Sequence, residues 1–459
     1  MADTTRSLTE GPVWRALASV SAPMSLGILA VLSVGLVDAY FLGRLGADPL
    51  AAVGYIYPVT TAVTSLSIGL SAGANAAVSQ AIGREDGAAA EHRLALHAIG
   101  LGLALSLAVA ALFWLVHRPL FRALGADEAV MVEIGRFIPW WVVSFPFLVV
   151  MMLVNAVFRA HGAGGTSATI MVLAALVNVA LTPAFIQGWG PLPAMGTGGA
   201  AFATMLSRAA LALAALAYAW HRGLIRLDCR PLAKIPLSLR QITAVGAPAA
   251  LSNAINPAGM AAVTAAVATL GTAAVGGFGA ATRIQSLALV PLLALSSGIG
   301  PVVGQNWGAD RQDRAARALH WAVGLCLAYG LIVGGVLFAF AGPLARAIAG
   351  GPDPAGFAAD YLRVVGWSLW GYGVVVVVNA AVNARSRALW SMGLSLSRIF
   401  ALYLPLAWAG VMLFGFPGIL GAAVAANVLA ALGGIWVARR CGLWRLVPGR
   451  APAAEGEAA

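Results

Sequence analysis

Residues 22–46 read APMSLGILAVLSVGLVDAYFLGRLG. Between Pro23 and Arg44 the only charge in this stretch is Asp38. As a helix rising about 1.5 Å per residue, such a run is long enough to cross the roughly 30 Å hydrocarbon core of a bilayer. The composition extends that reading to the whole chain: 60% of the 459 residues are hydrophobic and 10% are charged, against about 25% charged in a soluble domain. An ordinary soluble protein is excluded. At about 20 apolar residues per span, the chain can supply on the order of a dozen. The pattern places them at 14–43, 51–80, 94–116, 130–158, 166–187, 198–221, 241–269, 276–304, 316–342, 358–382, 389–413 and 419–438. The fold class expected is an all-α integral membrane protein of twelve transmembrane helices. The first apolar run continues to Arg44 without a small-residue cleavage site, so it is expected to remain as the first span rather than to be removed as a leader.

Basic residues orient the chain, because Lys and Arg collect in cytoplasmic loops. One set of loops and tails carries 19 of the 28 Lys and Arg residues, among them Arg84, Arg93, Arg159, Lys234, Arg311 and Arg385, and the opposite set carries six. Both termini are therefore expected in the cytoplasm, with the chain multi-pass in a bacterial-type inner membrane. The net charge of +11 is scattered between apolar runs and forms no patch for nucleic acid. Cys229, Cys326 and Cys441 show no metal-ligand spacing.

The chain repeats itself. At an offset of 225, Pro23 aligns with Pro248, Leu45-Gly46 with Leu270-Gly271, Gly54 with Gly279, Gly73 with Gly298, Gln80 with Gln305 and Gly83 with Gly308. At an offset of 224, Val154-Asn155-Ala156 aligns with Val378-Asn379-Ala380. The expected organisation is an N-lobe of helices 1–6 (residues 1–221), a basic cytoplasmic linker (222–240), a C-lobe of helices 7–12 (241–440) and a cytoplasmic tail (441–459). Six spans per repeat give both copies one orientation, related by an axis along the membrane normal around a central cavity. That arrangement suits alternating access.

Asp38 is the one carboxylate deep in a span, and intramembrane charges mark ion pathways by default. Its repeat counterpart is Val263, so the bundle does not need an acid there. Candidate partners in the same half are Asn155, Asn178, Thr182 and Thr204. Asn178 and Thr182 are spaced i, i+4 and share one helix face. Pro23 interrupts the hydrogen-bond ladder of the helix that carries Asp38. The second half offers Asn253, Asn256, Asn379, Asn383 and Gln305 and no deep carboxylate. Tyr57, Phe137 and Met171 are candidates for a greasy substrate cavity, and Trp140, Trp141 and Trp189 for interfacial anchors. No nucleotide-binding, nucleophile-elbow or zinc-protease motif is present, so no catalytic residue and no cofactor is expected and the chain does not read as an enzyme.

The motifs APMS (22–25), LVDAYFLGRLG (36–46), VSQAIG (78–83), FRAHG (158–162), VNVALTPAFI (177–186), GTGGAAFAT (196–204), GAPAAL (246–251), GFGAATRI (277–284) and GQNWGADRQDRA (304–315) resemble, in order and spacing, those of the multidrug and toxic compound extrusion (MATE) transporters. The resemblance is to the DinF-like branch more than the NorM-like one. It implies a V-shaped pair of lobes exporting cationic or amphipathic small molecules, drugs or toxic metabolites, by antiport with H⁺ or Na⁺. It implies the coupling role for Asp38, the bending role for Pro23, and polar-site roles for Asn178, Thr204 and Asn155. Thr182 stands where many members of the aspartate-dependent branch place a second acid, which favours H⁺ as the coupling ion over Na⁺ held at Asp38, Asn178 and Thr204. A monomer in the lipid bilayer is expected. The alternative function is a lipid-linked oligosaccharide flippase of the same wider superfamily, which would want several arginines in its cavity.

Overall fold

The computed structural model describes residues 8–189, 193–227 and 231–444. The first half is six helices: α1 (Val13–Leu45), α2 (Ala47–Gly83), α3 (Ala88–Ala123), α4 (Glu128–Ala160), α5 (Gly164–Gln187) and α6 (Thr197–His221). The second half has nine: α7 (Ile235–Ala268), α8 (Thr272–Ala288), α9 (Val290–Gly308), α10 (Gln312–Ile348), α11 (Pro352–Val365), α12 (Leu369–Ala384), α13 (Ala388–Leu396), α14 (Leu404–Phe414) and α15 (Phe416–Arg440). Three pairs of these are broken single spans, so the nine make six rods and the described residues hold twelve. The α8–α9 pair bends by 44° just before Pro291, which cannot continue the ladder. A 3-10 turn at Gly366–Ser368 joins α11 to α12, and a π-helical stretch, Ser397–Tyr403, joins α13 to α14 ahead of Pro405. Ten rods are long and apolar enough to cross a membrane and the bent pair makes eleven. The twelfth, α7, is less apolar because it carries Arg240, Ser252, Asn253 and Asn256 and packs along α2.

The linker expected at 222–240 ends earlier, since α7 is already helical from Ile235. Pro236 sits in its first turn, where the missing N–H has no partner to lose and the fixed φ suits a helix. Most of the tail expected at 441–459, and Cys229 of the linker, lie outside the described residues.

Repeat symmetry reaches the backbone turns. Gly46 and Gly271, which open α2 and α8, both have positive φ, at 144° and 101°. The left-handed residues Glu85 and Asp310, at 56° and 59°, follow α2 and α9 at the same offset of 225. Equivalent turns therefore end equivalent helices. Where the halves meet, α2 lies along α7 and α1 along α9. Small residues permit the approach: a Cβ at Gly73 would strike the carbonyl oxygen of Ile242, and one at its repeat mate Gly298 would strike Ser21. Close backbone approach through small residues is how membrane helices gain packing without a hydrophobic drive.

Two glutamines close one end of the molecule by the same symmetry. Gln80 Nε2 donates to the carbonyl of Ala384 at 2.5 Å and Gln305 Nε2 to the carbonyl of Ala160 at 2.7 Å, so each half clasps a backbone oxygen of the other. Gln305 Oε1 also accepts from the backbone N–H of Leu8 at 2.9 Å. Residues 8–11 are tied down further by Asn306, Arg311 and Arg314, which donate to the carbonyls of Leu8, Thr9 and Gly11. Gln305→Ala leaves two backbone groups without partners, each costing about 1–3 kcal/mol when buried. A lowered melting temperature of the purified protein is the expected result.

Two large cores result. One is the first half's own, built around Ile134, Phe137, Ile138, Trp141 and Phe145 of α4. The other is the second half's, and it includes Val13, Ala16, Leu17 and Val20 of α1. Helix α1 thus starts in one core and ends against the other half, and Pro23 lies just past Val20 at the crossover. Trp141 is 3% exposed and stacks edge-on to Phe113 and Phe145, so it is core rather than the interfacial anchor expected. Trp140 packs edge-on to Phe202 and Trp189 is exposed.

Candidate functional site

Asp38 sits in the C-terminal half of α1, facing α5. Thr182 Oγ1 donates to Asp38 Oδ1 at 3.0 Å and lies 3.4 Å from Asn178 Oδ1. Asn178 Nδ2 donates to Thr204 Oγ1 of α6 at 3.1 Å. Asp38, Thr182, Asn178 and Thr204 therefore form one chain of contacts across α1, α5 and α6. The i, i+4 spacing on α5 points Asn178 and Thr182 the same way, and both are buried. A hydroxyl has one proton to give. Thr182 can direct it to an ionised Asp38, the charge-assisted and stronger bond, or to Asn178, but not to both at once.

One turn beyond Thr204 on α6 is Arg208, absent from the partners expected for Asp38. Its Nη1 donates to Ser144 Oγ of α4 at 2.8 Å, and its guanidinium and the Asp38 carboxylate attract each other through space. The signal was present in the sequence as i, i+4 spacing from Thr204. Nothing local, however, reveals that α6 turns this face to α1.

Other expected members lie elsewhere. Asn155 is buried on α4, bonds to none of the four, and its Oδ1 has no partner among the described residues. Pro23 is about three turns from the start of α1, far down the helix from Asp38, and α1 is continuous through it. The proposed greasy cavity is not assembled from the three residues expected. Phe137 is in the first half's core, Tyr57 is 67% exposed, and Met171 packs against Gly27 and Met24. None of the three lines the cavity between the halves.

The cavity between the halves is polar instead. It measures about 210 Å³ and is lined by Ser71, Asn75 and Arg159 from the first half and by Asn253, Asn256, Tyr372, Asn379 and Asn383 from the second. The second-half asparagines were expected as polar counterparts of the Asp38 cluster, and the structure gathers them here. Arg159, which the sequence placed in a loop, is in the last turn of α4 and donates to Ser71 Oγ at 3.0 Å and Ser167 Oγ at 3.2 Å. Behind the lining, Arg398 donates to Asn256 Oδ1 at 3.0 Å, lies 4.8 Å over the Tyr372 ring, and has an Nε without a partner among the described residues. It rides on the π-helical stretch, a distortion frequent at functional sites. Among the described residues, no carboxylate lines this cavity.

A family profile described as MatE matches residues 23–184 and 248–409, two stretches of equal length displaced by 225, the register of the internal repeat. The FAD transporter of Shewanella oneidensis is 33% identical over 94% of this chain and 96% of its own. The probable multidrug resistance protein YpnP of Bacillus subtilis is 26% identical over 88% of this chain and 90% of its own. Among solved structures, the Vibrio cholerae MATE transporter VcmN in its bent form superposes with a TM-score of 0.89 at 27% identity, covering 96% of this chain and all of that one.

Proposed function

The chain belongs to the MatE family, multi-pass membrane transporters rather than enzymes, and from that premise we propose that it is a proton-coupled exporter of small organic molecules working through Asp38. The observation that carries the reading is the Thr182 hydroxyl, which one proton on Asp38 would re-aim. An ionised Asp38 accepts from Thr182. A protonated Asp38 donates instead, Thr182 turns to Asn178, and through the Asn178–Thr204 bond the protonation state is felt on α6. Asp38 takes its proton from outside, substrate is displaced outward, and loss of the proton toward the cytoplasm resets the cycle. Pro23, where α1 crosses from one core to the other, is the point at which α1 bends between states. The arginine-rich ends face the cytoplasm of a bacterial-type inner membrane, which makes the Gln80 and Gln305 clasps the closed inner side.

The cavity favours a cargo different from the cations that the sequence suggests. Arg159 and Arg398 meet neutral partners, and no carboxylate among the described residues lines the space to receive a cation. A buried guanidinium without a counter-ion is costly, and an acidic group on the cargo would relieve it. Serines and asparagines around it suit a cargo rich in hydroxyl and amide groups. FAD, which names the Shewanella relative, has two phosphates, ribityl hydroxyls and an adenine, and the cavity would hold its charged part.

Proteoliposomes carrying an imposed pH gradient test both points. Uptake of FAD into inverted vesicles should follow the gradient and exceed that of the cation ethidium. Arg159→Met, which removes the guanidinium that lines the cavity, should raise the KM for FAD by at least about tenfold, the scale of a lost charged hydrogen bond, and leave ethidium nearly unchanged. Ethidium transported well and FAD not at all would restore the cationic reading.

A further inference from the structure

Three features of the Asp38 site belong together. The side chain bonded to Asp38 is neutral, Thr182, whose hydroxyl donates to Asp38 Oδ1 at 3.0 Å. One turn beyond Thr204, on the α6 face that completes the site, stands a cation, Arg208. Ser144, fully buried, donates its own proton to the carbonyl of Trp141 at 2.6 Å and so presents a lone pair to the guanidinium. Arg208 is thereby held where its charge acts on Asp38 without touching it, since the pair is not within ion-pair distance while Arg208 is fixed to α4. The counterpart helices of the second half lack both charges: α7 has no charged side chain after Arg240, and α15 none before Arg439. The scaffold folds without this pair, so neither charge is demanded by the architecture.

We infer that Arg208 is the resident cation of the Asp38 site, occupying electrostatically the place of a bound metal ion, so that the site accepts a proton but excludes Na⁺. The inference rests on reading Asp38 as the coupling group. The oxygens around Asp38 would otherwise suit a sodium ion, because Asn178, Thr182 and Thr204 together offer one amide oxygen and two hydroxyls beside a carboxylate. A hard cation takes such ligands readily. What opposes it is like charge: with Asp38 ionised, Arg208 leaves the site neutral overall, and an arriving Na⁺ meets a fixed positive neighbour in a medium that screens poorly. A proton meets no such penalty, since it bonds to the carboxyl itself and needs no shell of oxygen ligands. Arg208 also outlasts any pH change in the cycle, because a guanidinium stays charged.

Equilibrium binding of radiolabelled Na⁺ to the purified full-length protein tests this without relying on transport. Native protein should show no saturable binding that depends on Asp38. Arg208→Gln should gain a site at least about tenfold tighter than any in the native chain, the order expected when a like charge is removed at this range. That site should vanish again in the double variant with Asp38→Asn. Arg208→Lys keeps the charge but not the planar fork, and should remain indifferent to Na⁺, which a merely structural arginine would not predict. Saturable Asp38-dependent Na⁺ binding by native protein would overturn the inference, as would a folded Arg208→Gln that binds no more Na⁺ than native. Arg208→Met serves as the second variant if the glutamine form is not recovered as a monodisperse protein. Proton-driven export that survives in Asp38→Asn would instead defeat the coupling assignment itself, a failure visible in a separate assay.

Discussion

Asp38→Asn is expected to abolish pH-gradient-driven export while leaving the protein folded. The amide is isosteric and keeps an oxygen to accept from Thr182 Oγ1, the bond that the carboxylate makes at 3.0 Å, so the local geometry survives. What it cannot do is change protonation state. Thr182 then has no second position to move to, and α6 receives no signal. One charge moved across a membrane is worth about 2.3 kcal/mol per 100 mV, so a gradient of roughly 150 mV supports on the order of a 300-fold accumulation in a coupled cycle. In the variant that ratio should fall to one, with substrate still binding to the detergent-solubilised protein. Both readouts are needed, because loss of binding together with transport would mean that the substitution had disturbed the cavity rather than the coupling. Gradient-driven accumulation retained in the variant would place the proton elsewhere.

Gly83→Val and Gly308→Val are expected to act alike and strongly, because the repeat gives them one environment. A Cβ at Gly83 would strike the carbonyl oxygen of Gln305, and a Cβ at Gly308 the carbonyl oxygen of Gln80. Each substitution wedges the halves apart at the end closed by the two glutamine clasps. Overpacking of this kind costs about 1–3 kcal/mol, enough to depopulate the closed arrangement by roughly fivefold to more than a hundredfold. Transport should drop by at least about tenfold in each variant, and amide exchange should quicken across 302–309 and 380–386. Gly54→Ala and Gly279→Ala are the controls. These two also match each other in the repeat, yet a Cβ at either meets open space, and transport should stay within about twofold of native, as surface substitutions do. If the controls fell with the wedges, the cause would be helix backbone freedom rather than contact between halves.

The contrast between these glycine pairs separates what was legible from what was not. The spans could be read because all but α7 are long apolar runs whose backbone satisfies itself, a property of one segment at a time. The repeat could be read because matched Gly, Gln and Pro positions fall in one ungapped register. Asp38 could be read because a carboxylate is out of place in a span, and Asn178 with Thr182 because helical spacing is arithmetic. The residues themselves do not say which matched glycine touches another half and which faces a void. Phe137, Trp141 and Tyr57 are similar side chains by type, and only packing sends the first two into a core and leaves the third exposed.

Sequence alone determined the membrane fold, the two-fold repeat and the position of a carboxylate within a span, since each is written in single residues or in spacing along one helix. The tertiary structure alone decided which helix faces meet. It brought Arg208 of α6 to the Asp38 site, gathered second-half asparagines with Arg159 around a polar cavity, and joined Gln80 to Ala384 and Gln305 to Ala160 across the halves. Those are contacts between residues as much as 304 positions apart, set by the rotation of one rod against another. That rotation comes from close-packed small residues acting together, and no local stretch of sequence encodes it.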